Sequence, residues 1–167
     1  MDLISFNKQF AERMKKLNEF VKGEEIKSII GNEAINHFQN NFEEEGFTDK
    51  EGEVEKWANV ERRKPESKWY GHSGQSRKFS GERTTARILT GDNENLQSSF
   101  FFEPTQRGVM IRNSAPYAAV HQYGLKAKIY GKKEFQMIAR PFMGYSTALK
   151  EKIEDKIVDE IKNIITS

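Results

Sequence analysis

The stretch "NSAPYAAVHQYG", residues 113–124, combines a turn, a short apolar run and a histidine ahead of a glycine. Pro116 suits the first turn of a helix, because the N–H that proline lacks has no partner there. Gly124 suits the left-handed position that ends a helix. The pattern therefore predicts a helix of one or two turns, which leaves His121 as a catalytic base, a metal ligand or a structural corner.

Two β-rich segments surround this short helix. "LQSSFFFEPTQRGVMIRNS" (96–114) has two strand-like runs around a loop that contains glycine. "KAKIYGKKEFQMIARP" (126–141) has the same form and turns at "YGKK". Upstream of both, "TTARILTG" (84–91) predicts a short helix that ends at Gly91. The second half of the chain therefore contains two predicted hairpins separated by a helical corner.

Helices are predicted at both ends of the chain. Residues 1–42 carry apolar side chains at three- and four-residue steps and a break at Gly23, which indicates two amphipathic helices. Leu149 opens a similar stripe after Ser146, a favourable N-cap residue. The expected fold is α+β in a single domain, residues 1–167. It has two N-terminal helices, a long polar arm, a small antiparallel sheet of two hairpins and a C-terminal amphipathic helix.

The segment 43–82 lacks any regular spacing of apolar residues, and we interpret it as an extended or flexible arm. Its charges are divided. Residues 43–55 hold seven acidic side chains against Lys50, whereas residues 62–87 hold eight Lys or Arg against Glu66 and Glu82. An acidic run next to a basic one suits docking on a neighbouring subunit, where complementary charge fixes register.

The composition excludes several classes of protein. The chain has no cysteine, which excludes disulfides, thiol nucleophiles and zinc–thiolate sites. It has no apolar run of membrane-spanning length and no signal-peptide pattern at its start, so no membrane partner is expected. The formal net charge is only +2, which does not indicate nucleic-acid binding for the chain as a whole.

The histidines do not form a recognisable reactive motif. His37, His72 and His121 are scattered, without the paired local spacing that metal sites use. Ser114 lies near His121 but lacks the GxSxG pattern of a nucleophile elbow. No glycine-rich phosphate loop is present. We expect no enzyme activity, no metal and no cofactor.

The basic part of the arm supports an alternative function. "ERRKPESKWYGHSGQSRKF" (61–79) interleaves basic and aromatic residues, as single-strand-binding surfaces do. The segment 62–87 is thus a candidate nucleic-acid-binding module, although a solvated loop has the same composition. The candidate interface residues, for nucleic acid or for a neighbouring subunit, are Trp57, Trp69, Tyr70, Phe79, Arg62, Arg63 and Lys64.

Three motifs in order resemble the phage virion-morphogenesis, or tail-completion, family, to which the Mu-like G protein and the P2-like tail-completion protein S belong. They are "ILTGDNENLQSS" (88–99), "GVMIRNSAPYAAVHQYG" (108–124) and "ARPFMGYS" (139–146), followed by a terminal amphipathic helix. Trp57 also stands where the family often has a tryptophan. The matching motif positions are Thr90, Gly91, Leu96, Ser98, Tyr117, Ala118, His121, Gln122, Gly124, Arg140, Pro141, Phe142 and Gly144.

The resemblance implies a non-enzymatic structural or assembly protein of a bacteriophage or prophage virion. Such a protein completes the tail end or the head–tail junction through subunit–subunit contacts. Its implied partners are copies of itself, in a ring or another homo-oligomer, and other virion tail or neck proteins, with room for non-specific DNA contact. It would act in the host bacterial cytoplasm during assembly and then in the virion. His121 would be a scaffold corner, with Tyr117 and Val120 packed inward and the histidine hydrogen-bonded to the adjoining loop.

Overall fold

The structure, a computed structural model, describes residues 3–48, 52–72, 78–91, 95–129, 131 and 133–166. The α+β class is confirmed. The helices are α1 (Leu3–Lys22), α2 (Glu24–Glu43), α3 (Gly81–Thr85), α4 (Asn95–Ser98), α5 (Ala118–Tyr123) and α6 (Thr147–Thr166), with a 3-10 helix at Glu61–Arg63. The strands are β1 (Gly46–Thr48), β2 (Val54–Lys56), β3 (Phe100–Pro104), β4 (Val109–Asn113), β5 (Lys126–Ile129) and β6 (Lys133–Gln136).

The long helices form where the apolar spacing predicts them. Gly23 separates α1 from α2, as expected from the break in the pattern. Ser146 caps α6, because its Oγ accepts a hydrogen bond from the Leu149 N–H at 3.2 Å. An ion pair of 3.4 Å between Lys156 and Glu33 joins α6 to α2. Within the described ranges, no helix is both long enough and apolar enough to cross a bilayer.

Both predicted hairpins are present, but they do not merge into one sheet. Strands β3 and β4 pair antiparallel from Phe100↔Asn113 to Pro104↔Val109. Strands β5 and β6 pair from Lys126↔Gln136 to Ile129↔Lys133. In the part of the chain that the structure describes, each hairpin is a separate two-stranded sheet, and β1–β2 forms a third. Strands β1, β3 and β4 pack on α2. The β5–β6 hairpin is joined to the end of α5, where Gln136 Nε2 donates to the Gly124 carbonyl.

The core is an aromatic cluster on the inner face of α2. The Phe142 ring lies 5.3 Å from the Phe42 ring and 5.9 Å from the Phe100 ring, centroid to centroid. Aromatic rings at these separations add to the free energy that burial of their area provides. The buried hydrophobic residues of this core are Ala34, Phe38, Phe42, Trp57, Ile88, Leu96, Phe100, Phe142 and Leu149.

The predicted helix over residues 84–91 is wrong in its position. Helix α3 ends at Thr85, and Leu89 takes a positive φ of 61°. The reason is that side chains take the backbone groups a helix would use: Arg63 donates to the Ala86 carbonyl, and the Glu45 carboxylate accepts from the Ile88 N–H. Gly91 is therefore not a helix cap. The "LQSS" run, expected in a strand, lies mostly in α4.

The segment 43–82 has more local structure than its composition indicates. Strands β1 and β2 form a hairpin, the 3-10 helix follows, and His72 and Phe79 form an antiparallel bridge. Trp57 is only 7% exposed and belongs to the core. Residues 49–51 and 73–77 of the segment lie outside the described residues. The single-domain assignment and the extended arm remain predictions.

Candidate functional site

The corner formed by α5 is joined to the core by one glutamine side chain. Gln122 Oε1 accepts hydrogen bonds from the backbone N–H groups of Phe142 at 2.9 Å and Met143 at 3.1 Å. Its Nε2 donates to the Met143 carbonyl at 2.7 Å. The amide thus satisfies backbone groups of residues 140–143, which we term the 140–143 crossing. A partly buried backbone needs such partners, so Gln122 fixes where the crossing runs.

Two further side chains from other elements hold the 140–143 crossing, and one side chain of the crossing bonds outward. Trp57 Nε1 donates to the Pro141 carbonyl at 2.7 Å. The buried Asn41 donates from Nδ2 to the Phe142 carbonyl at 3.1 Å. In the opposite direction, the Arg140 guanidinium donates to the Ala58 carbonyl at 3.0 Å. Burial lowers the pKa of Arg140, although an arginine remains charged at neutral pH. The crossing is therefore a junction of α2, α5 and the segment after β2.

The end of α5 requires glycine for two separate reasons. Gly124 has φ +63° and ψ 44°, in the left-handed region, and it caps α5 as predicted. A Cβ at this position would lie 2.8 Å from the Ala139 nitrogen and 2.9 Å from the Met137 oxygen. The backbone of the next segment therefore approaches to a distance that a larger residue would prevent.

His121 lies at the corner, with its imidazole partly buried. Burial lowers the pKa of its imidazole, and the positive charge of Arg140 lowers it further, so the ring is neutral at pH 7. Its Nδ1 is buried and has no hydrogen-bond partner among the described residues. Its backbone carbonyl accepts from the Arg140 N–H at 2.7 Å. The same described ranges contain no group of three or more His, Cys, Asp or Glu placed to hold a metal ion.

The expected arrangement at the corner needs a correction. Tyr117 does not pack inward, since it is 38% exposed, and its ring meets the His121 ring edge-on at 5.9 Å. The expected hydrogen bond between His121 and the adjoining loop is present, and it is made by the backbone carbonyl of the histidine. The polar side chain that bonds the adjoining segment is that of its neighbour, Gln122.

Most of these contacts involve residues of the three sequence motifs, and the chain was compared with known protein families. The model of the phage virion morphogenesis family matches residues 56–162, well over half of the chain. This chain belongs to the phage virion morphogenesis family. No curated protein and no solved structure matches it significantly. The family resemblance of the motifs is confirmed, and membership suggests a structural or assembly role in the phage particle.

The other motif residues of this family protein have less uniform environments. Leu96 is a core residue, and Ala118 packs against the core. Thr90 Oγ1 donates to the Arg87 carbonyl at 2.9 Å, whereas Gly91 is exposed with open space around it. Ser98 is exposed at the end of α4. A Cβ on Gly144 would lie 3.0 Å from the Phe47 ring, which indicates close packing there.

The basic residues predicted as an interface are largely used inside the protein. Arg62 donates to the carbonyls of Arg83 and Arg87 at 2.6 and 2.7 Å. Arg63 makes a two-pronged pair with the Glu45 carboxylate, with N–O distances of 2.8 and 2.5 Å. Lys64 pairs with Glu61 at 2.6 Å. The two arginines therefore connect the segment after β2 to α3 and to the start of β1.

The aromatic interface candidates divide into one core residue and three surface residues. Trp57 is buried in this chain's own core, so it presents little surface to a partner. Trp69 is 44% exposed with Lys68 Nζ 5.6 Å from its ring centroid. The ring centroids of Tyr70 and Phe79 lie 5.9 Å apart, and Phe79 is exposed. Trp69, Tyr70 and Phe79 therefore remain predicted interface residues.

Two structural residues escaped the sequence analysis. Asn41 is fully buried, and its Oδ1 also accepts from the Thr48 hydroxyl at 3.2 Å. Glu45 has a positive φ of 50°, and its carboxylate joins Arg63 to the Ile88 N–H. Asn41 sits among polar neighbours in α2, and Glu45 ends an acidic run. The local sequence around Asn41 and Glu45 does not distinguish them from solvent-exposed residues, because the groups that they bind are distant in sequence.

Proposed function

We propose that this protein completes the tail end or the head–tail junction of a phage or prophage particle, acting by contact and not by catalysis. One observation carries the proposal. The polar side chains of the family motifs, Gln122 and Arg140 above all, bind the chain's own backbone around the 140–143 crossing. These residues build a rigid scaffold, which leaves the outer surfaces to meet partners.

The state of His121 supports a non-enzymatic role. A general base needs to reach a substrate proton and to be oriented by a third group. His121 instead has a buried Nδ1 that makes no hydrogen bond within the described residues, and its ring packs against Tyr117.

The proposed partners are other copies of this chain and other tail or neck proteins of the particle. Head-to-tail contacts between identical subunits close into a ring when the rotation per subunit divides a full turn. A ring around the DNA path would contact DNA without sequence preference, through phosphate charge. The proposed location is the host bacterial cytoplasm during assembly, and afterwards the virion.

Deletion of the gene from its phage or prophage tests this proposal. After induction, electron microscopy should find DNA-filled heads and tails that are separate or unfinished, and plasmid-borne wild-type protein should restore joined particles. Antibody labelling of complete particles should place the protein at the neck or at one tail end. Normal numbers of infectious particles from the deletion strain would overturn the proposal.

The nucleic-acid alternative has weaker support. The guanidinium groups of Arg62 and Arg63 already donate hydrogen bonds to backbone carbonyls and to Glu45, so they are less available to phosphates. It makes a separate prediction. A single-strand-binding module should bind a fluorescent oligonucleotide with an affinity that falls steeply as salt rises. Trp69→Ala should weaken that binding through lost base stacking. Binding of this kind by a protein whose deletion leaves particles intact would favour the alternative.

A further inference from the structure

Helix α1 carries an apolar stripe that is largely exposed in the part of the chain that the structure describes. Of the twenty residues in α1, only Phe20 is buried. Phe6 and Phe10 are 52% and 56% exposed. They stack on each other with 6.3 Å between ring centroids. The stripe repeats at helical spacing and consists of Leu3, Phe6, Phe10, Met14, Leu17 and Val21.

An exposed stripe of this kind needs a partner. A helix of about twenty residues is only marginally stable in water by itself, and most helical stability in proteins comes from packing of the apolar face. Helix α1 meets the body near its end, where Lys16, Glu19 and Phe20 lie beside Ile164 of α6. The preceding turns project beyond that contact.

The same chain offers an apolar groove at the other end of α6. Its apolar lining consists of Tyr145, Leu149 and Ile153, with Gly144 at one side, and its volume is about 330 Å³. Tyr145 is 67% exposed. Lys150 and Glu154 form an ion pair of 3.4 Å at the rim. The groove and the α1 contact at Ile164 are separated by eleven residues of α6 beyond Ile153, about 16 Å.

The charges of the two surfaces are complementary. Residues 3–22 contain five Lys or Arg against Glu12 and Glu19, a net charge of +3. The β1–β2 hairpin borders the groove, since Phe47 packs against Gly144. Residues 43–56, which contain that hairpin, hold seven acids against two lysines, a net charge of −5. Part of this acidic charge is paired, since Glu43, Glu44 and Glu45 bind Arg87, Lys56 and Arg63. The remaining acidic charge beside the groove is complementary to a basic helix.

We propose that α1 of one copy places its apolar stripe, with Phe6 and Phe10 at the centre, in the 144–153 groove of the next copy. The contact is head-to-tail, because the helix and the groove are different surfaces of one subunit, and it propagates around a ring. This inference rests on the proposed function as an assembling virion protein. It specifies the surface and the partner, which is a second copy of this chain.

Cysteine cross-linking tests the contact directly, because the chain contains no cysteine of its own. Phe10→Cys protein mixed with Tyr145→Cys protein should form a disulfide-linked dimer on mild oxidation. Ala11→Cys provides the matched control, since it lies outside the stripe in the same turn, and it should cross-link poorly to Tyr145→Cys. Equal cross-linking of the Phe10→Cys protein with itself would overturn the proposal in favour of paired stripes.

Light scattering of charge variants gives an independent test. Phe6→Asp/Phe10→Asp should remain at the monomer mass of 19.4 kDa under conditions in which the wild type associates. Gln9→Asp/Ala11→Asp, which adds the same charge outside the stripe, should associate as the wild type does. Tyr145→Asp should also be monomeric. A mixture of Phe6→Asp/Phe10→Asp with Tyr145→Asp should form dimers, because one intact helix and one intact groove remain.

The results also separate this proposal from the proposed function. Wild-type protein that neither associates nor cross-links, while its deletion still blocks particle completion, overturns the α1 contact alone. Association as proposed together with normal particles after deletion overturns the virion role alone. Monomeric wild-type protein that binds anionic lipid vesicles through α1 would likewise overturn the groove as its partner.

Discussion

Gln122 connects two motifs that are separated by about twenty residues of sequence. Its amide contacts three backbone groups of the 140–143 crossing, so one side chain serves as the link between the α5 corner and the core. The adjacent His121 is the stronger candidate for a functional residue in the sequence, because histidine side chains often act in catalysis. In the structure, the side chain that connects the two motifs is that of Gln122.

Replacing Gln122 should destabilise the fold more than replacing an exposed glutamine. Gln122→Ala leaves two N–H groups and one carbonyl of the crossing without their partner, and we expect a loss of about 1–3 kcal/mol in the free energy of unfolding. Gln106→Ala, at an exposed position in the β3–β4 loop, is the matched control. Urea unfolding measures both, and equal midpoints for the two variants would contradict the assigned role.

Three glycines separate the effect of backbone angle from that of close packing. Gly91→Ala meets neither constraint, and Gly131→Ala has a φ of +70° but open space around it. Gly124→Ala has both a positive φ and atoms within 3 Å. We expect almost no effect at Gly91, about 1–2 kcal/mol at Gly131 and a larger loss at Gly124. Thermal unfolding checks this order, which equal losses at Gly131 and Gly124 would refute.

At the scale of elements, Glu45 and Arg63 join the β1–β2 hairpin to the segment after α3. The hydrogen bond from Arg63 lowers the pKa of the Glu45 carboxyl, and the Ile88 N–H and nearby arginine charges act in the same direction against the effect of burial. A lowered carboxyl pKa contributes stability that is present above the unfolded-state pKa. That contribution is lost as the pH falls through the lower, folded-state pKa.

Glu45→Gln should therefore make the protein less sensitive to acid. We expect it to lower the free energy of unfolding by about 1–2 kcal/mol at pH 7, and this difference should shrink as the pH falls below about 5. His37 and His121 also have lowered pKa values. Both histidines therefore lower the stability of the wild type and of Glu45→Gln alike as the pH falls below about 6.5. Denaturant unfolding across this pH range measures the effect. Parallel plots of unfolding free energy against pH for the wild type and Glu45→Gln would contradict a stabilising Glu45–Arg63 pair. Glu103→Gln, from an exposed ion pair, should change little.

Sequence reasoning succeeded where an element is specified locally. Helix α5 follows from Pro116 and Gly124, and α6 follows from its stripe and the Ser146 cap. It failed at residues 84–91, where long-range bonds from Arg63 and Glu45 replace helical ones. The stripe of α1 was also visible in the sequence, but periodicity does not reveal which surface covers it. Contacts between distant segments are the information that one sequence lacks.

As a whole, the molecule combines an aromatic core with outer surfaces that differ sharply from one another. The residues matched by the family model, 56–162, contain the crossing, the α5 corner and most of α6, whereas the core helix α2 precedes them. Helix α1 lies outside that match. We therefore expect changes in the scaffold to act through folding, and changes on the surfaces to act on assembly with folding intact.

Particle assembly by a His121 variant tests the central claim, that this protein works as a scaffold and not through a reactive histidine. His121→Gln would be expressed in a phage deletion strain, with its folded fraction measured by thermal unfolding and joined particles counted by electron microscopy. We expect joined particles in proportion to the folded protein. A fully folded His121→Gln protein that yields no joined particles would contradict it and restore a chemical role for the histidine.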